Sequence, residues 1–461
     1  MISFDPAQLA AWTGGRWTAS PASPLVGFTM DTRTLRAGEV FVALRTGKRD
    51  GHDFLAAAKA AGAGAALVAK ADPAVALPQL VVAEPLTAFQ AIAREHRRQF
   101  RGPVIGITGS AGKTSTKNLL AQLLGGAPGV LATEGNLNNQ LGVPLTLMRL
   151  DPAAHRFAVV EAGIGAPGEM RRLAGMIRPD VAIITLVAPA HLEELGDLEG
   201  VAREKAGLPA ELAADGLAVF PRECGDFAAF RELAARRLVV EESAAPFRSP
   251  PEGRAFYSAT QRGEESVLTI ACGAEEPVNF TLRRVSAGMA RNAVLAICAA
   301  RSLGVPPADI QERLAAWRPA RWRGELRRSN GRLLYVDCYN ANPASMADAL
   351  ANFDSLVPAG RPRAYVLGCM EELGPGAAEF HRRLGRTLQL GPDDLLFIVG
   401  DQADALREGV LENGPAARQI VIAPGAAAVR PVLAGFQGAV FVKGSRKHHL
   451  EQALEPEDAP C

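Results

Sequence analysis

The sequence lacks several features that would each indicate a class of protein. Lys and Arg number 50 against 49 for Asp and Glu, a formal net charge of +1, so no overall field attracts nucleic acid or an anionic membrane. No uncharged apolar stretch approaches the ~18 residues of a membrane span. The first residues lack the basic start and apolar run of a secretory signal. We therefore expect a cytoplasmic protein with no membrane span and no nucleic-acid partner.

Cysteine is scarce and dispersed. The chain has 6 cysteines with no CxxC pair and no metal-ligand spacing. We interpret them as the reduced thiols of a cytosolic protein. With a near-zero net charge, any anionic ligand must be held by local groups.

Length and pattern predict three α/β domains. A chain of 461 residues exceeds one domain, since domains commonly span about 100–200 residues. Short apolar runs alternate with amphipathic segments from residue 27 to about residue 100, as in a small α/β unit. Taken alone, Arg33 and Lys48 in its connections are interpreted as surface charges. We predict domains at 1–100, 101–319 and 320–461.

A glycine-rich turn follows an apolar run early in the second predicted domain. Residues 104–108 are mostly β-branched, residues 109–112 read Gly-Ser-Ala-Gly, and Lys113 and Thr114 begin an apolar-periodic segment. A strand, a glycine turn and a helix place backbone amides and a positive helix end around an anion. The strict GxxxxGK[ST] pattern is not met because Ile107 stands at its first position. We predict a central P-loop-type ATPase domain; the alternative is a tight turn with an incidental lysine.

Three more polar residues of this domain follow predicted strands or helices. Glu161 ends the apolar run 157–161, His191 follows the run 181–185, and Lys205 lies one helix further on. Ligands gather at the carboxyl ends of parallel strands, so Glu161 is placed like a magnesium ligand. Each residue alone has a structural alternative: a helix-capping acid, a loop histidine and a solvated lysine.

The third predicted domain alternates strands and helices regularly. Its apolar runs lie at 333–336, 364–367, 395–399, 420–422 and 439–442. This alternation predicts a doubly wound parallel sheet. Polar segments follow three of the runs, at 337–343, 368–374 and 443–446. They predict either a ligand-facing edge or ordinary helix caps and turns.

Taken together and in order, these motifs resemble the Mur ligase family, the ATP-dependent amino-acid and peptide ligases of peptidoglycan precursor synthesis. The resemblance spans nearly the whole chain, through residues 31–33, 38–44, 50–54, 107–114, Lys117, 135–139, 142–144, 191–193, Lys205, 337–343 and 442–446. The Tyr-Asn-Ala-Asn-Pro sequence at 339–343 is similar to that of the dipeptide-adding members. The Asp-Asn-Pro-Arg signature of the members that add diaminopimelate or lysine is absent.

The resemblance implies an activity and its substrates. Dipeptide-adding members use ATP and Mg²⁺ to join D-alanyl-D-alanine to UDP-N-acetylmuramoyl-tripeptide. The substrate carboxylate becomes an acyl phosphate that the dipeptide amine attacks, and positioning with charge neutralisation supplies most of the catalysis. It also implies an N-terminal domain for the UDP moiety, a central ATPase domain and a C-terminal domain that closes over the site. We expect a monomer; the third residue of the tripeptide does not follow from the sequence.

The resemblance also implies roles residue by residue. The expected catalytic residues are Lys113, Glu161, His191 and Lys205. The expected magnesium ligands are Thr114, Glu161, His191 and Lys205, the last carbamylated as in relatives. ATP is expected at Gly109, Ser110, Ala111, Gly112, Lys113, Thr114, Ser115, Asn292, Arg323 and Asp337. The substrates are expected at Asp31, Thr32, Arg33, Asn138, Asn139, Asn340, Asn342, Lys443, Ser445 and Arg446, the last three on the dipeptide carboxylate.

Some positions depart from the family pattern. Residues 286–289 read Ser-Ala-Gly-Met where the adenine motif has Gly-Arg-His-Asn, residues 161–165 read Glu-Ala-Gly-Ile-Gly, Cys369 replaces a common Asp, and Gly207 a common Glu. The phosphate and metal positions are retained, which favours retained chemistry with altered peripheral contacts. Two alternatives stay open: a sister ligase with another amine substrate, and a nucleotide-binding regulatory or scaffold homologue that has lost ligation.

Overall fold

Three sheets follow one another along the chain in the computed structural model. The structure describes residues 2–47, 49–244, 249–273, 275–329, 331–414 and 419–455, so Lys48 and Cys461 lie outside the described residues. Within these ranges, every helix is too short or too polar to cross a bilayer.

The N-terminal unit is built on a five-stranded sheet of order β1-β7-β6-β3-β2. Only its edge pair β1–β7 is antiparallel among the described pairs. Its elements are α1 (Pro6–Thr13), β1 (Arg16–Trp17), β2 (Gly27–Thr29), β3 (Glu39–Val42), the separate hairpin β4 (Arg45–Thr46) and β5 (Arg49–Asp50), α2 (Leu55–Ala60), β6 (Ala65–Val68), β7 (Gln79–Val81) and α3 (Pro85–Gln99).

The central unit carries a nine-stranded sheet of order β16-β15-β14-β13-β12-β11-β8-β10-β9. Its pairs are parallel from β9 to β14, and the meander β14-β15-β16 is antiparallel. The elements of its first half are β8 (Val104–Thr108), α4 (Lys113–Leu123), β9 (Val130–Ala132), α5 (Gly142–Leu147), β10 (Phe157–Glu161), α6 (Glu169–Ile177), β11 (Val181–Ile184), α7 (Leu192–Leu195) and α8 (Leu198–Ala206). Those of its second half are β12 (Leu217–Pro221), α9 (Ala228–Arg231), β13 (Arg236–Glu242), β14 (Arg254–Arg262), β15 (Glu265–Cys272), β16 (Val278–Arg283), α10 (Ala287–Ser302) and α11 (Pro307–Ala316).

The C-terminal unit has a six-stranded sheet of order β17-β18-β22-β19-β20-β21. All its described pairs are parallel except β17–β18. Its elements are β17 (Glu325–Ser329), β18 (Arg332–Asp337), α12 (Pro343–Leu356), β19 (Arg363–Gly368), α13 (Ala377–Thr387), β20 (Leu395–Val399), α14 (Ala403–Leu411), β21 (Ile420–Ile422), α15 (Arg430–Gly435) and β22 (Ala439–Lys443).

Both faces of the central strands are buried. In β8, Val104 belongs to one apolar cluster and its neighbour Ile105 to another. In β18, Leu333 and Leu334 divide in the same way. Strands covered on both faces read as continuous apolar runs, which is why these strands were recognisable in the sequence.

The predicted α/β class and the parallel C-terminal sheet are confirmed. The prediction of five C-terminal strands missed β17, an antiparallel edge strand. Its sequence Glu-Leu-Arg-Arg-Ser is mostly polar, and none of its residues is fully buried, so it carries no apolar signal. The three sheets fall within the three predicted ranges; the domain boundaries themselves stay predictions.

Candidate active site

A cleft of about 690 Å³ is lined by residues of both the central and the C-terminal unit. The residues expected from the sequence that line it are Ser110, Ala111, Gly112, Lys113, Thr114, Ser115, Asn138, Asn139, Glu161, His191, Asn292, Arg323, Asp337, Asn340, Asn342 and Lys443. Those outside the lining are Asp31, Thr32, Arg33, Gly109, Lys205, Ser445 and Arg446.

Two glycines shape the loop between β8 and α4. Gly109 has φ +150°, and a Cβ there would lie 1.9 Å from Thr185 Oγ1. Gly112 has φ +81°, and its Cβ would lie 2.2 Å from Asn292 Nδ2. Positive φ combined with such close neighbours leaves room only for glycine. Asn292, expected to contact adenine, is thus packed against the phosphate loop.

Lys113 and Ser110 are held by this loop. The partly buried Lys113 donates from Nζ to the Gly109 carbonyl at 2.7 Å, and desolvation lowers the pKa of Lys113. The Ser110 hydroxyl donates to Ala188 O at 2.7 Å and accepts from Ala188 N at 3.0 Å. The Ser110 side chain therefore fixes the loop, and its backbone N is also occupied, donating to Leu186 O at 2.8 Å.

Glu161 is a buried carboxylate with one oxygen left over. It ends β10 and is 1% exposed. Its Oε1 accepts from Asn138 Nδ2 at 2.7 Å, whereas its Oε2 is buried with no hydrogen-bond partner among the described residues. An unpartnered buried carboxylate oxygen is costly and suits a cationic ligand.

Lys117 supports this carboxylate, and reasoning from the sequence gave it no role. It lies one turn after Lys113 on α4, is buried, and donates from Nζ to Thr133 O at 2.6 Å. The Thr133 hydroxyl accepts from the backbone N of Glu161 at 3.0 Å. Burial lowers the pKa of Lys117, and the charge of Glu161 opposes that shift. The sequence does show that Lys113 and Lys117 are four residues apart, a spacing that places two side chains on the same face of a helix.

Lys205 is buried behind the cleft. It lies on α8 and is 1% exposed. Burial, with the like charge of Lys113, lowers the pKa of Lys205 well below its usual value. A lysine in this environment is held toward its neutral, nucleophilic form.

His191 joins the two units that line the cleft. Its Nδ1 donates to Oε2 of Glu372, in the C-terminal unit, at 2.5 Å. Both residues have left-handed backbones, with φ +54° for His191 and +60° for Glu372. The hydrogen bond from His191 lowers the pKa of Glu372. Glu372 belongs to the polar segment 368–374 noted in the sequence, but nothing in the sequence indicated that it pairs with His191.

Asn342 connects the C-terminal unit to the phosphate loop. Its Nδ2 donates to Ser110 O at 3.0 Å, and its Oδ1 accepts from Ser345 N at 2.9 Å as the N-cap of α12. The neighbouring Asn340 uses Oδ1 to accept from Ala341 N at 2.9 Å. The Asn-Ala-Asn motif therefore lies beside the loop.

Lys443 and Asp337 form a pair at the adjacent ends of β22 and β18. Lys443 Nζ lies 2.5 Å from Asp337 Oδ2 and also donates to Asn340 O at 3.3 Å. Lys443 is 1% exposed. Burial raises the pKa of Asp337, and the Lys443 charge opposes this. The cation expected to hold a dipeptide carboxylate is thus already paired.

The other expected C-terminal contacts lie outside the cleft lining. Ser445 is buried, and the Arg446 guanidinium lies over the Trp322 ring at 4.4 Å and pairs with Glu451 at 2.7 Å. Inside the cleft, the Arg323 guanidinium stacks on the Tyr339 ring at 4.0 Å. This contact leaves the guanidinium edge available to an anion.

Arg291 is a cleft residue that reasoning from the sequence missed. It precedes Asn292 on α10, and its Nε is buried with no hydrogen-bond partner in the part of the chain that the structure describes. Its only signal in the sequence was its position next to Asn292, within the adenine-motif segment.

The structure does not bring the N-terminal motif to this cleft. Asp31 and Arg33 pair with each other at 2.6 Å, and the Arg33 side chain is 86% exposed. Hydrogen bonds from Arg33 lower the pKa of Asp31 to about 2. Nearby, His52 is fixed between Asp50 Oδ1 and Ala69 N. Thr32 lies in the same partly exposed turn.

Comparisons with known proteins agree with this arrangement. The Mur ligase middle domain matches residues 107–300, and the Mur ligase glutamate ligase domain matches residues 322–446. A UDP-N-acetylmuramoyl-tripeptide–D-alanyl-D-alanine ligase of Escherichia coli is 33% identical over 414 residues, 88% of each chain. The Bacillus subtilis ligase of the same name is 30% identical, over 84% of this chain and 82% of its own.

The chain belongs to the Mur ligase family.

Solved structures extend the match to the whole fold of this Mur ligase. A crystal structure of MurF from Acinetobacter baumannii has a TM-score of 0.86 at 29% identity, covering 98% of both chains. MurF ligase from Thermotoga maritima in complex with ADP has a TM-score of 0.78 at 25% identity, covering 93% of this chain and 96% of its own. Mur ligases are ATP-dependent.

The cleft of this Mur ligase fits a phosphate-bound metal better than a metal held by protein alone. In the described ranges, no three His, Cys, Asp or Glu side chains are grouped to hold a metal ion. Glu161 Oε2 is nevertheless buried and unpartnered, and Thr114 lines the same cleft. Mg²⁺ keeps waters and binds through one or two carboxylates plus substrate phosphates, which is the set available here.

Proposed function

We propose that this chain is the ATP-dependent ligase that joins D-alanyl-D-alanine to UDP-N-acetylmuramoyl-tripeptide in peptidoglycan precursor synthesis. The names of the E. coli and B. subtilis relatives support this substrate pair. The Tyr-Asn-Ala-Asn-Pro sequence at 339–343 supports the dipeptide-adding role. We also propose the three-domain division, a cytoplasmic location and a monomer.

The single observation that carries the proposal is the hydrogen bond from Asn342 to the Ser110 carbonyl at 3.0 Å. Asn342 belongs to the motif associated with dipeptide addition, and Ser110 to the loop expected to hold phosphates. A ligase must bring an activated carboxylate and an amine together, since such positioning lowers the barrier strongly. Contact between these two segments is the arrangement that such a reaction needs.

The loop residues have defined tasks in this proposal. Bound ATP supplies the phosphoryl group that activates the substrate carboxylate as an acyl phosphate. The backbone amides of 111–115 and the Lys113 ammonium hold the phosphates at the start of α4. Thr114 and Glu161 would hold one Mg²⁺, which would supply positive charge to offset that of the phosphates. His191, oriented by Glu372, lies at the edge where a second ion would bind.

Lys205 is proposed to be carbamylated. Its lowered pKa favours the neutral amine, which attacks CO₂, forms an N–C bond and releases one proton. The product is an anion beside Lys113, and it would provide a metal ligand at the back of the cleft. An unmodified Lys205 with full activity in bicarbonate-free buffer would contradict this.

The dipeptide carboxylate needs a cation that is not already paired. Because Asp337 neutralises Lys443, we assign Lys443 to positioning of Asn340 and assign Arg323, stacked on Tyr339, to the anionic groups in the cleft. Asn138 and Asn139, which also line the cleft, remain the proposed contacts of the muramoyl tripeptide. Asp31, Thr32 and Arg33 remain the proposed UDP contacts.

The test is ADP release by the full chain, measured with each substrate present, absent or replaced. We expect ADP only when UDP-N-acetylmuramoyl-tripeptide and D-alanyl-D-alanine are both present, with one ligated product per ADP by mass spectrometry. Product with D-alanine or another amine instead would indicate a sister ligase. Nucleotide binding without any product would indicate a homologue that has lost ligation.

A further inference from the structure

A small pocket opens on the central unit, away from the cleft. Its volume is about 300 Å³, at the lower end of the range for small-molecule sites. Among the described residues, none that lines this pocket also lines the cleft. Four of the lining residues are arginines: Arg222, Arg231, Arg237 and Arg254. The proposed ligase reaction uses none of them.

One row of residues across the sheet forms the base of the pocket. Val239 of β13 pairs with Phe220 of β12 on one side and with Arg254 of β14 on the other. Arg237 precedes Val239 by two residues, so both side chains point to the same face of the sheet. The Phe220 ring is buried against that of Phe230 in α9, with ring centroids 5.4 Å apart. The pocket therefore combines an apolar floor with arginines on the same face.

Two of the arginines share the carboxylates nearby. Arg254 Nη1 lies 2.9 Å from Glu241 Oε2. Arg222, at the start of the turn 222–226, lies 3.9 Å from Glu241 and 3.9 Å from Asp226. These arginine side chains are about half exposed, so the pairs are weak. The two carboxylates offset no more than two of the four positive charges.

Arg231 and Arg237 are held by backbone carbonyls instead. Arg231 Nη1 donates to the carbonyls of Gly225 and Asp226, and Arg237 Nη1 donates to Arg231 O at 3.1 Å. In the part of the chain that the structure describes, the ion pairs of this pocket involve only the other two arginines. A carbonyl fixes the direction of a guanidinium and leaves its net charge in place. Two oriented cations are therefore available to an anion from outside.

We propose that this pocket binds a phosphate-bearing small molecule. Guanidinium groups match phosphate and carboxylate oxygens with two parallel hydrogen bonds. A phosphate group presents oxygens in several directions, so it can meet arginines from the turn, from α9 and from two strands at once. A carboxylate presents only two oxygens in one plane. The apolar floor strengthens these contacts, because charges interact more strongly away from water, and the proposal does not depend on the proposed ligase activity.

The test is isothermal titration of the full chain carrying Lys113→Gln with inorganic pyrophosphate at ~0.15 M salt. This substitution weakens the phosphate loop as a competing anion site. We expect one pyrophosphate per chain, and citrate, the carboxylate probe, should bind at least about tenfold more weakly. Pyrophosphate that binds the wild type but not Lys113→Gln belongs to the phosphate loop and would overturn the proposal. Citrate binding as tight as that of pyrophosphate would overturn the assignment to phosphate.

Variants of the arginines locate the bound anion. In the Lys113→Gln chain, Arg231→Gln and Arg237→Gln should each weaken pyrophosphate binding about tenfold, since each removes hydrogen bonds to a charged group. The matched control is Arg236→Gln. Arg236 is exposed and precedes Arg237 in β13, so its side chain points to the opposite face of the strand, and its loss should change the affinity less than about twofold because salt screens exposed charges. Equal losses in Arg236→Gln and Arg237→Gln would reveal only general attraction between charges and would refute the site.

A crystal structure of the wild-type chain with tungstate decides the question even where a variant fails to fold. Tungstate is a tetrahedral oxyanion like phosphate, and tungsten scatters anomalously. We expect a tungsten peak in the pocket, with oxygens within about 3 Å of the guanidinium groups of Arg231 and Arg237. A peak at the phosphate loop with none in the pocket would contradict the proposal.

Discussion

The Asn342 side chain makes two hydrogen bonds with different roles, and substitutions can test the two roles separately. Its Oδ1 caps α12 by accepting from Ser345 N, and its Nδ2 bonds to the Ser110 carbonyl of the phosphate loop. Asn342→Ala removes both bonds. Asn342→Asp keeps the capping oxygen, which a helix N-terminus favours, but removes the donor and places an anion beside the loop.

The magnitudes follow from these two bonds. Loss of an N-cap costs about 1 kcal/mol, which shifts the melting temperature of a unit of this size by roughly 2–4 °C. Loss of the bond to Ser110 costs about 1 kcal/mol, equivalent to about fivefold in kcat/KM. The added anion in Asn342→Asp should increase the second loss, because it repels the phosphates.

Stability and turnover therefore separate the variants. Differential scanning calorimetry should show a lower melting temperature for Asn342→Ala and a near wild-type value for Asn342→Asp. ADP release should fall at least fivefold in both and most in Asn342→Asp. The matched control is Asn413→Ala, which loses bonds to the carbonyls of Arg386 and Leu388 and should be destabilised with unchanged turnover when folded. Full activity in Asn342→Asp would refute the role of the contact.

Three further outcomes are expected. Glu161→Gln should reduce turnover about 100-fold or more, about 2.7 kcal/mol, because the carboxylate oxygen Oε2 is replaced by an amide nitrogen or by a weaker amide oxygen ligand. The control is Glu169→Gln, which changes another carboxylate of the same cleft, one that accepts from Gly165 N. Equal losses of turnover in the two variants would remove the assignment of Glu161. Since the folded-state pKa of Lys205 is lowered, the folded chain binds fewer protons than the unfolded chain between that pKa and about 10.5, so stability rises with pH across that window. In urea titrations without bicarbonate, the free energy of unfolding of the wild type should therefore increase relative to that of Lys205→Met from pH 7 toward pH 10. If the free energies of unfolding of the two proteins change with pH in parallel, an unmodified Lys205 with a lowered pKa is contradicted. Lys443→Met leaves the partly buried Asp337 without its cation and should cost about 3 kcal/mol. Asp337→Asn in the same chain should restore part of the loss. Wild-type stability in the single variant would mean that the pair is unimportant.

The local features of the fold could be predicted from the sequence. β8, its glycine turn and α4 are marked by a β-branched run and by glycines at positive φ. The C-terminal strands are buried on both faces, so their apolar runs stand out against the helices between them. The polar edge strand β17 carries no such signal, and its place depends on pairing with β18.

The partners of the site residues could not be predicted, because they come from distant segments. No feature of the neighbouring sequence indicates that His191 contacts Glu372, or that Asn342 contacts Ser110. For Lys443, no feature of the nearby sequence indicated the pairing with Asp337, 106 residues away, which neutralises the cation.

The most direct test of the central claim is a crystal structure with a non-hydrolysable ATP analogue and Mn²⁺ in place of Mg²⁺. The anomalous signal should show a metal bonded to Glu161 Oε2 and Thr114 Oγ1 at about 2.1 Å, with the phosphates on the amides of 111–115. A triphosphate bound away from this loop, or a metal that leaves Glu161 Oε2 without a ligand, would contradict it.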